Sequence, residues 1–159
     1  MAHRLLADSS GKCLTPHGHD EIVTVTLRPL KAMDFGGSNM TAAFEKAKGR
    51  WHGWIDTCVD HAFQLNLADP LLGYFKASEP ERLSRIMTFE GDPTTEALAI
   101  AFLRKLTAFL TADGLFSAEA VRVQETPTNT CTLTAADLAG IDWSPGAWAR
   151  RADDSLNDL

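Results

Sequence analysis

The chain has 159 residues, of which 45% are hydrophobic and 23% are charged, a length and composition that suit one soluble globular domain. Its net charge of −6 excludes a general attraction to nucleic acid or to an anionic membrane, and no apolar run approaches the roughly 20 residues of a membrane span. Three cysteines without disulfide-scaffold spacing, and a start interrupted by polar residues, predict a cytoplasmic protein.

The first predicted element is a strand from Glu21 to Leu27, where β-branched and apolar residues alternate. The segment from Leu30 to Phe35 is predicted to return as a short second strand. A helix is expected next, with Ser38 or Asn39 as its N-cap. Its predicted buried stripe consists of residues at helical spacing: Met40, Ala43, Phe44, Ala47 and Trp51.

The middle of the chain is predicted to contain an irregular polar region followed by a second helix. The irregular region extends from Leu67 to Asp92. Asp92 and Pro93 are typical of an N-cap and a first helical position, so the helix is expected to begin there and to run to about Leu110. Its apolar stripe is Leu98, Ala101, Phe102 and Phe109, and Asp113-Gly114 is expected to end it.

The last predicted strand runs from Ala120 to Thr126 and places Glu125 on the same face as Val121 and Val123. A carboxylate on an apolar face is unusual, because burying an unpaired charge is costly. The segment from residue 132 onward is expected to pack its tryptophans on the fold. Strands, helix, irregular region, helix and strand in this order predict an α+β fold with an antiparallel sheet.

Two histidines stand just before the first predicted strand. His17 and His19 would project from one face if that strand extended back through them. Two imidazoles on one face can bind one metal ion, and three protein ligands with an open position are typical of catalytic zinc. Spacing alone leaves three candidates for the third ligand: His3, His52 and His61.

Three other residues could carry chemistry, although each is ambiguous alone. Cys13 could be a fourth ligand of a closed zinc site, a reactive thiolate activated by a nearby cation, or a small buried hydrophobe. Asp60 and His61 are adjacent, and a carboxylate that orients a histidine can form a proton relay. An adjacent Asp–His pair often has no such role.

Five short motifs occur together in one order. They are AHRL at residues 2–5, C-x-x-x-HGH at 13–19, DHAFQLN at 60–66, PTTE at 93–96 and VQET at 123–126. This series resembles the family of 6-pyruvoyl-tetrahydropterin and 6-carboxy-tetrahydropterin synthases. The three-residue gap between Cys13 and His17 is more similar to the bacterial carboxy-tetrahydropterin synthases of queuosine biosynthesis. The resemblance covers roughly residues 3–131.

The resemblance implies a role for each matched residue. It implies zinc ligands at His3, His17 and His19, catalytic groups at Cys13, Asp60 and His61, and pterin contacts at Glu125 and Thr126. The implied reaction converts 7,8-dihydroneopterin triphosphate to 6-carboxy-5,6,7,8-tetrahydropterin, with release of acetaldehyde and triphosphate. The pyruvoyl branch, which keeps the three-carbon chain, is the alternative. Arg4 and Lys12 are candidates for holding the triphosphate because they lie near the motifs.

The resemblance also implies a tunnelling fold, in which a four-stranded antiparallel sheet carries two helices on one face. Subunits of the family join their sheets into a barrel, usually as a hexamer of two trimers, with active sites between subunits. We expect this domain to cover residues 1–131 and residues 132–159 to form an extension that packs on it or is partly disordered. Family members normally have a strand before the AHRL motif, so either the edge of the barrel differs here or the chain as given lacks its natural start.

Two alternatives to the enzyme remain open. One is a divergent member that binds pterin without this turnover or acts on another pterin. The other is a structural zinc protein with Cys13, His17 and His19 as closed ligands, although such a site would require neither the Asp–His pair nor Glu125. Cys58 and Cys131 are interpreted as structural residues. His52 is interpreted as a solvated residue or as one that contacts the site residues without binding the metal.

Overall fold

The computed structural model describes residues 1–7 and 11–159, which form seven strands and four α-helices. The strands are β1 (Ala2–His3), β2 (His17–Gly18), β3 (Ile22–Pro29), β4 (Phe63–Asn66), β5 (Ile86–Phe89), β6 (Phe116–Gln124) and β7 (Thr130–Thr134). The helices are α1 (Phe44–Trp54), α2 (Pro70–Ser78), α3 (Thr95–Asp113) and α4 (Ala135–Ala139). A π-helical turn (Ile55–Val59) and two 3₁₀ helices (Pro80–Arg85 and Ala147–Arg150) complete the regular structure of these residues.

The strands form two sheets. One is antiparallel, in the order β3-β6-β7, and the other is mixed, in the order β2-β1-β4-β5. In the mixed sheet β1 is antiparallel to β2 but parallel to β4, and β4 is parallel to β5. The predicted α+β class is confirmed, whereas the described residues do not form the expected single four-stranded antiparallel sheet. Adjacent parallel strands need a crossover connection, and α2 with the following 3₁₀ helix supplies the one between β4 and β5.

The prediction of an irregular region from Leu67 to Asp92 is therefore wrong. Asp69 caps α2 by accepting a 2.8 Å hydrogen bond from the Leu71 N–H, and Pro70 occupies the first helical position. This is the same Asp-Pro signal that the sequence shows again at Asp92. The later Asp-Pro pair lies before α3, whose N-cap is Thr94.

The segment between β3 and α1 also differs from the prediction. Residues 30–34 form bends and irregular backbone, and a turn begins at residue 35, so there is no returning strand here. Asn39 has a left-handed φ of 53° that suits a turn better than an N-cap. The cap of α1 is Ala43. Met40 and Phe44 are exposed, so the predicted buried stripe is correct at Trp51 but wrong at its beginning.

Helix α3 is the central element of the main core. As predicted it ends before Gly114, whose φ of 68° is the left-handed conformation that glycine adopts readily. Apolar residues of α3 pack with Trp51 and Trp54 of α1 and with Trp148, which is 0% exposed. The segment that contains Trp148 thus contributes to the same core, while the predicted domain boundary at residue 131 stays a prediction. Within the described ranges no helix is long and apolar enough to cross a bilayer.

Candidate metal centre

Three histidines converge beside the mixed sheet. His3 on β1 lies directly opposite His17 on β2 in the antiparallel register, and His19 follows β2. One ligand atom from each histidine lies within 4.8 Å of the others. The ring centroids are 4.6, 5.1 and 5.0 Å apart and the rings meet edge to face. Cross-strand register therefore brings the third histidine to the pair that the sequence singled out.

The second nitrogen of two of these imidazoles is already engaged. His3 Nδ1 lies 2.9 Å from the Pro93 main-chain oxygen, and His17 Nδ1 lies 2.8 Å from the Thr15 main-chain oxygen. When both Nδ1 atoms donate to these carbonyls, both Nε2 atoms carry a lone pair for a metal. The two Nε2 atoms are 3.1 Å apart, close to the roughly 3.3 Å between two nitrogens that bind tetrahedral zinc at about 2.0–2.1 Å. The donor set fits zinc.

The electrostatics of the cluster favour the neutral imidazole of His3. Burial lowers the pKa of His3, which is only 4% exposed, and the neighbouring His17 and His19 lower it further. The Pro93 carbonyl and the Glu125 carboxylate act in the opposite direction without reversing the shift. A neutral imidazole is the form that binds a metal, so the site does not need to release a proton from His3 at neutral pH.

The local backbone explains the spacing of the HGH motif. The condition that the following strand extends back through the histidines is not met: β2 ends at Gly18, and β3 begins at Ile22 in the other sheet. A Cβ on Gly18 would lie 3.2 Å from the Met1 main-chain oxygen, so glycine allows β2 to approach β1 closely. His19 then donates its N–H to the same Met1 oxygen at 2.9 Å.

The turn at Asp92 and Pro93, which the sequence pattern indicated only as a helix start, supports the histidine cluster. The Asp92 carboxylate accepts one hydrogen bond from the Ala7 N–H at 2.7 Å and another from the Asn66 side-chain amide at 2.8 Å. Burial raises the pKa of Asp92, but these donors lower it by more. The carboxylate thereby fixes the turn that carries the Pro93 carbonyl against His3. In the sequence only the Asp92-Pro93 pair indicates this turn, because the partners of the Asp92 carboxylate, Ala7 and Asn66, are distant in sequence.

Glu125 lies beyond the end of β6 and close enough to His3 for its charge to raise the pKa of that imidazole. Its Oε1 accepts a 2.8 Å hydrogen bond from the Thr95 hydroxyl. The free protein thus supplies one partner for a carboxylate that the strand pattern left without any. Thr126 belongs to a turn, in which its hydroxyl accepts from the Asn129 N–H at 3.0 Å. Both pterin contacts implied by the resemblance stay predictions.

Cys13 is half-buried. Its main-chain oxygen accepts a 2.8 Å hydrogen bond from the N–H of Leu5, two residues after the end of β1. In the part of the chain that the structure describes, the group of potential metal ligands consists of His3, His17 and His19 and does not include Cys13. The geometry thus favours an open three-histidine site over a closed four-ligand site.

The Asp60–His61 pair lies on the surface. The His61 Nδ1 and the Asp60 Oδ2 are 3.1 Å apart, and the two side chains are 89% and 63% exposed. His61 has a φ of 62°, which is uncommon for a residue other than glycine. Both residues line a shallow cavity of about 340 Å³ together with His19. The pair therefore shares a cavity with one histidine of the metal cluster, and its side chains are largely exposed to solvent in the isolated chain.

The other candidates have more ordinary surroundings. Arg4 pairs with the fully buried Asp69 carboxylate through two contacts, one of them 2.7 Å long, so its guanidinium is engaged inside the fold rather than available to a triphosphate. Lys12 and His52 are exposed. The two remaining cysteines are half-buried, and burial raises the pKa of Cys131.

Comparison with known proteins matches the chain to a family model and to solved structures. A family model for 6-pyruvoyl tetrahydropterin synthase matches residues 1–136 of the chain. No curated protein matches the chain significantly. The crystal structure of an uncharacterized protein, WS1659 from Wolinella succinogenes, superposes with a TM-score of 0.66 at 22% sequence identity, covering 84% of this chain and 92% of that chain. At this identity the likeness is informative about the fold alone.

Proposed function

We propose a reaction for this chain from the premise that it belongs to the 6-pyruvoyl tetrahydropterin synthase family, whose members are lyases acting on pterins. The substrate would be 7,8-dihydroneopterin triphosphate and the product 6-carboxy-5,6,7,8-tetrahydropterin, formed with release of acetaldehyde and triphosphate. The C-x-x-x-HGH spacing favours this carboxy branch over the pyruvoyl branch.

The observation that carries the proposal is the three-histidine cluster with a carboxylate beside it. Three imidazole nitrogens that can share one metal leave an open coordination position, which is typical of catalytic rather than structural zinc. Glu125 lies near His3, and a carboxylate can accept two parallel hydrogen bonds from the amino group and ring N–H of a pterin. A purely structural zinc site would need no such neighbour.

The residues of the chain would then divide the work. Bound zinc would supply a Lewis acid that polarises the hydroxyl oxygens of the substrate side chain. Cys13 would remove or return a proton on one side of that chain, and His61, oriented by Asp60, would do so on the other. Glu125 would orient the pterin ring so that its side chain reaches the histidine cluster.

The exposure of the Asp60–His61 pair supports a site shared between subunits. Proton transfer is more efficient in a pocket from which water is excluded, yet both side chains are largely exposed in the isolated chain. We therefore include a homo-oligomer in the proposal, with a hexamer of two trimers as the expected form. In it a second copy would cover the pair.

Product analysis tests the proposal. Zinc-loaded protein would be incubated with 7,8-dihydroneopterin triphosphate, and the pterins, acetaldehyde and triphosphate would be quantified by chromatography and mass spectrometry. Equal amounts of 6-carboxy-tetrahydropterin, acetaldehyde and triphosphate would support it. Release of triphosphate without acetaldehyde would assign the pyruvoyl branch instead, and tight pterin binding without consumption would indicate a member that binds but does not react.

A further inference from the structure

A cavity of about 410 Å³ lies next to His61 and is lined by two arginines, Arg82 and Arg85. The other lining residues are His61, Phe63, Phe75, Glu79 and Ile86. Both arginines belong to the 3₁₀ helix in the crossover between β4 and β5, the segment that the sequence had predicted to be irregular. Among its lining residues only His61 has a role in the proposed reaction.

Arg85 is tied directly to the candidate proton relay. Its Nη1 donates to the Asp60 main-chain oxygen at 3.3 Å. The next residue, His61, has the left-handed φ of 62°, and such backbone outliers cluster at functional sites. Because this contact lies within one chain, Arg85 accompanies the Asp60–His61 pair in whichever subunit's site the pair acts.

The charges of the cavity favour an anion. Glu79 is its one acidic lining residue among those described, and its Oε2 lies 3.7 Å from Arg82 Nε while its Oε1 accepts from the Tyr74 hydroxyl at 2.8 Å. Arg82 Nε also lies 3.8 Å from Glu81 Oε1, so two carboxylates offset the charge of Arg82. Arg85 forms no ion pair with a carboxylate among the described residues, and its positive charge is the one available in the cavity. Since the whole chain has a net charge of −6, this local positive charge is what a polyanion would need in order to bind.

The cavity adjoins the metal side of the protein. Two residues, His61 and Phe63, line both this cavity and the shallow cavity that His19 lines. A ligand that crosses His61 could thus have one end near the metal cluster and the other on the arginines. Guanidinium groups match phosphate oxygens in a bidentate manner, which makes arginine well suited to a phosphate chain.

We propose that the cavity lined by Arg82 and Arg85 binds the triphosphate group of the substrate, beside His61. This inference rests on the proposed function, because that function supplies the triphosphate. It replaces Arg4, whose guanidinium is paired with the buried Asp69. The same assignment makes Glu79 unfavourable for anion binding, because its carboxylate competes with the anion for Arg82.

The test compares variants of opposite expected sign. Binding of inorganic triphosphate to the zinc-loaded protein would be measured by calorimetry at low salt for the parent, Arg82→Gln, Arg85→Gln and Glu79→Gln. Each arginine variant should lower the affinity by roughly tenfold, because a charge-assisted contact is lost. Glu79→Gln should raise the affinity severalfold. Arg28→Gln is the matched control, because Arg28 is exposed on the antiparallel sheet and pairs with Glu119.

Two further measurements separate this proposal from the proposed reaction. Binding of 7,8-dihydroneopterin, which lacks phosphates, and zinc content should be unchanged in all four variants. Parental affinity for triphosphate in both arginine variants, or a loss of affinity in Glu79→Gln, would overturn the assignment even if the parent made the expected product. If the parent made no such product while triphosphate binding still depended on the arginines, the result would support the anion site and contradict the proposed reaction.

Discussion

At the residue scale, the contact made by one nitrogen of an imidazole decides what the other nitrogen can do. Carbonyl oxygens lie 2.9 Å from His3 Nδ1 and 2.8 Å from His17 Nδ1, which leaves both Nε2 atoms for a metal. Neither carbonyl is a side chain, so no residue type in the sequence signals these contacts. The metal site is therefore defined as much by backbone position as by the three histidines.

Glu125 carries the residue-scale prediction about pterin. Glu125→Gln keeps the shape of the side chain but turns one acceptor into a donor that opposes the donors of the pterin. Hydrogen bonds to charged groups contribute about 1.5–3 kcal/mol, so the affinity for 7,8-dihydroneopterin should fall by roughly one to two orders of magnitude.

Calorimetric titration of the parent and the variant checks this, with the thermal midpoint as the control. The midpoint should change little, because the glutamine oxygen can still accept from the Thr95 hydroxyl. Unchanged pterin affinity together with a large fall in midpoint would make Glu125 a structural residue and would remove the main support for a pterin site.

At the element scale, the turn before α3 holds a metal ligand through its main chain. Asp92→Asn should loosen this turn, because the amide nitrogen would face either the Ala7 N–H or the Asn66 amide, both of which are donors. Loss of such outer support typically costs about 10–100-fold in metal affinity. A competitive chelator titration should therefore show weaker zinc binding in this variant.

Asp137→Asn is the matched control for the turn. Asp137 also accepts hydrogen bonds from a neighbouring backbone N–H and a hydroxyl, but it does so in the capping box of α4. The absorption spectrum of the cobalt-substituted protein gives a readout of ligand geometry that general instability would not change. Parental zinc affinity and an unaltered cobalt spectrum in Asp92→Asn would show that the turn does not position His3.

A second element-scale prediction concerns the attachment of the C-terminal segment. The buried ammonium of Lys105 on α3 donates to the main-chain oxygens of Trp148, Arg151 and Asp153 at 2.9, 3.2 and 2.8 Å. Burial lowers the pKa of Lys105, because a buried charge is costly. Part of the stabilisation from the hydrogen bonds therefore offsets this cost.

Lys105→Met removes this cost but takes the ammonium donor from three carbonyls, of which, within the described part of the chain, only that of Trp148 also accepts from a backbone N–H, that of Arg151. We expect the loss of these hydrogen bonds to dominate. The free energy of unfolding should fall by about 2–4 kcal/mol. Urea denaturation followed by tryptophan fluorescence measures this, because Trp148 would become exposed. Lys76→Met on the exposed side of α2 is the control and should be neutral. Equal stability of the parent and Lys105→Met would mean that apolar packing alone holds the segment.

At the scale of the whole molecule, the parts that could be predicted are those encoded by neighbouring residues. The alternating strand near Ile22, the helix end at Gly114 and the pairing of His17 with His19 all follow from local patterns. His3 could not be chosen from spacing, because it joins the cluster across a strand register that only the folded sheet defines. The crossover after β4 was missed because α2 has only nine residues, too few for a clear helical period, although Asp69 and Pro70 precede it with a helix-start signal.

The assembly can be tested with two inactive variants. Cys13→Ala and His61→Ala should each lower turnover by about 10²–10⁴-fold, as expected for proton-transfer groups. If Cys13 of one subunit acts with His61 of another, mixed oligomers formed by co-expression should regain activity that neither variant has alone. Oligomers that mix, as mass spectrometry would establish, yet stay inactive would place both groups in one chain.

Zinc content is the measurement that tests the central claim most directly. We expect about one zinc per chain in the parent and in Cys13→Ala, but almost none in the double variant His17→Ala, His19→Ala, because the ligand atoms come from the three histidines. Circular dichroism would establish that the double variant is folded. Full zinc occupancy in the folded double variant, or loss of zinc from Cys13→Ala alone, would contradict an open three-histidine site.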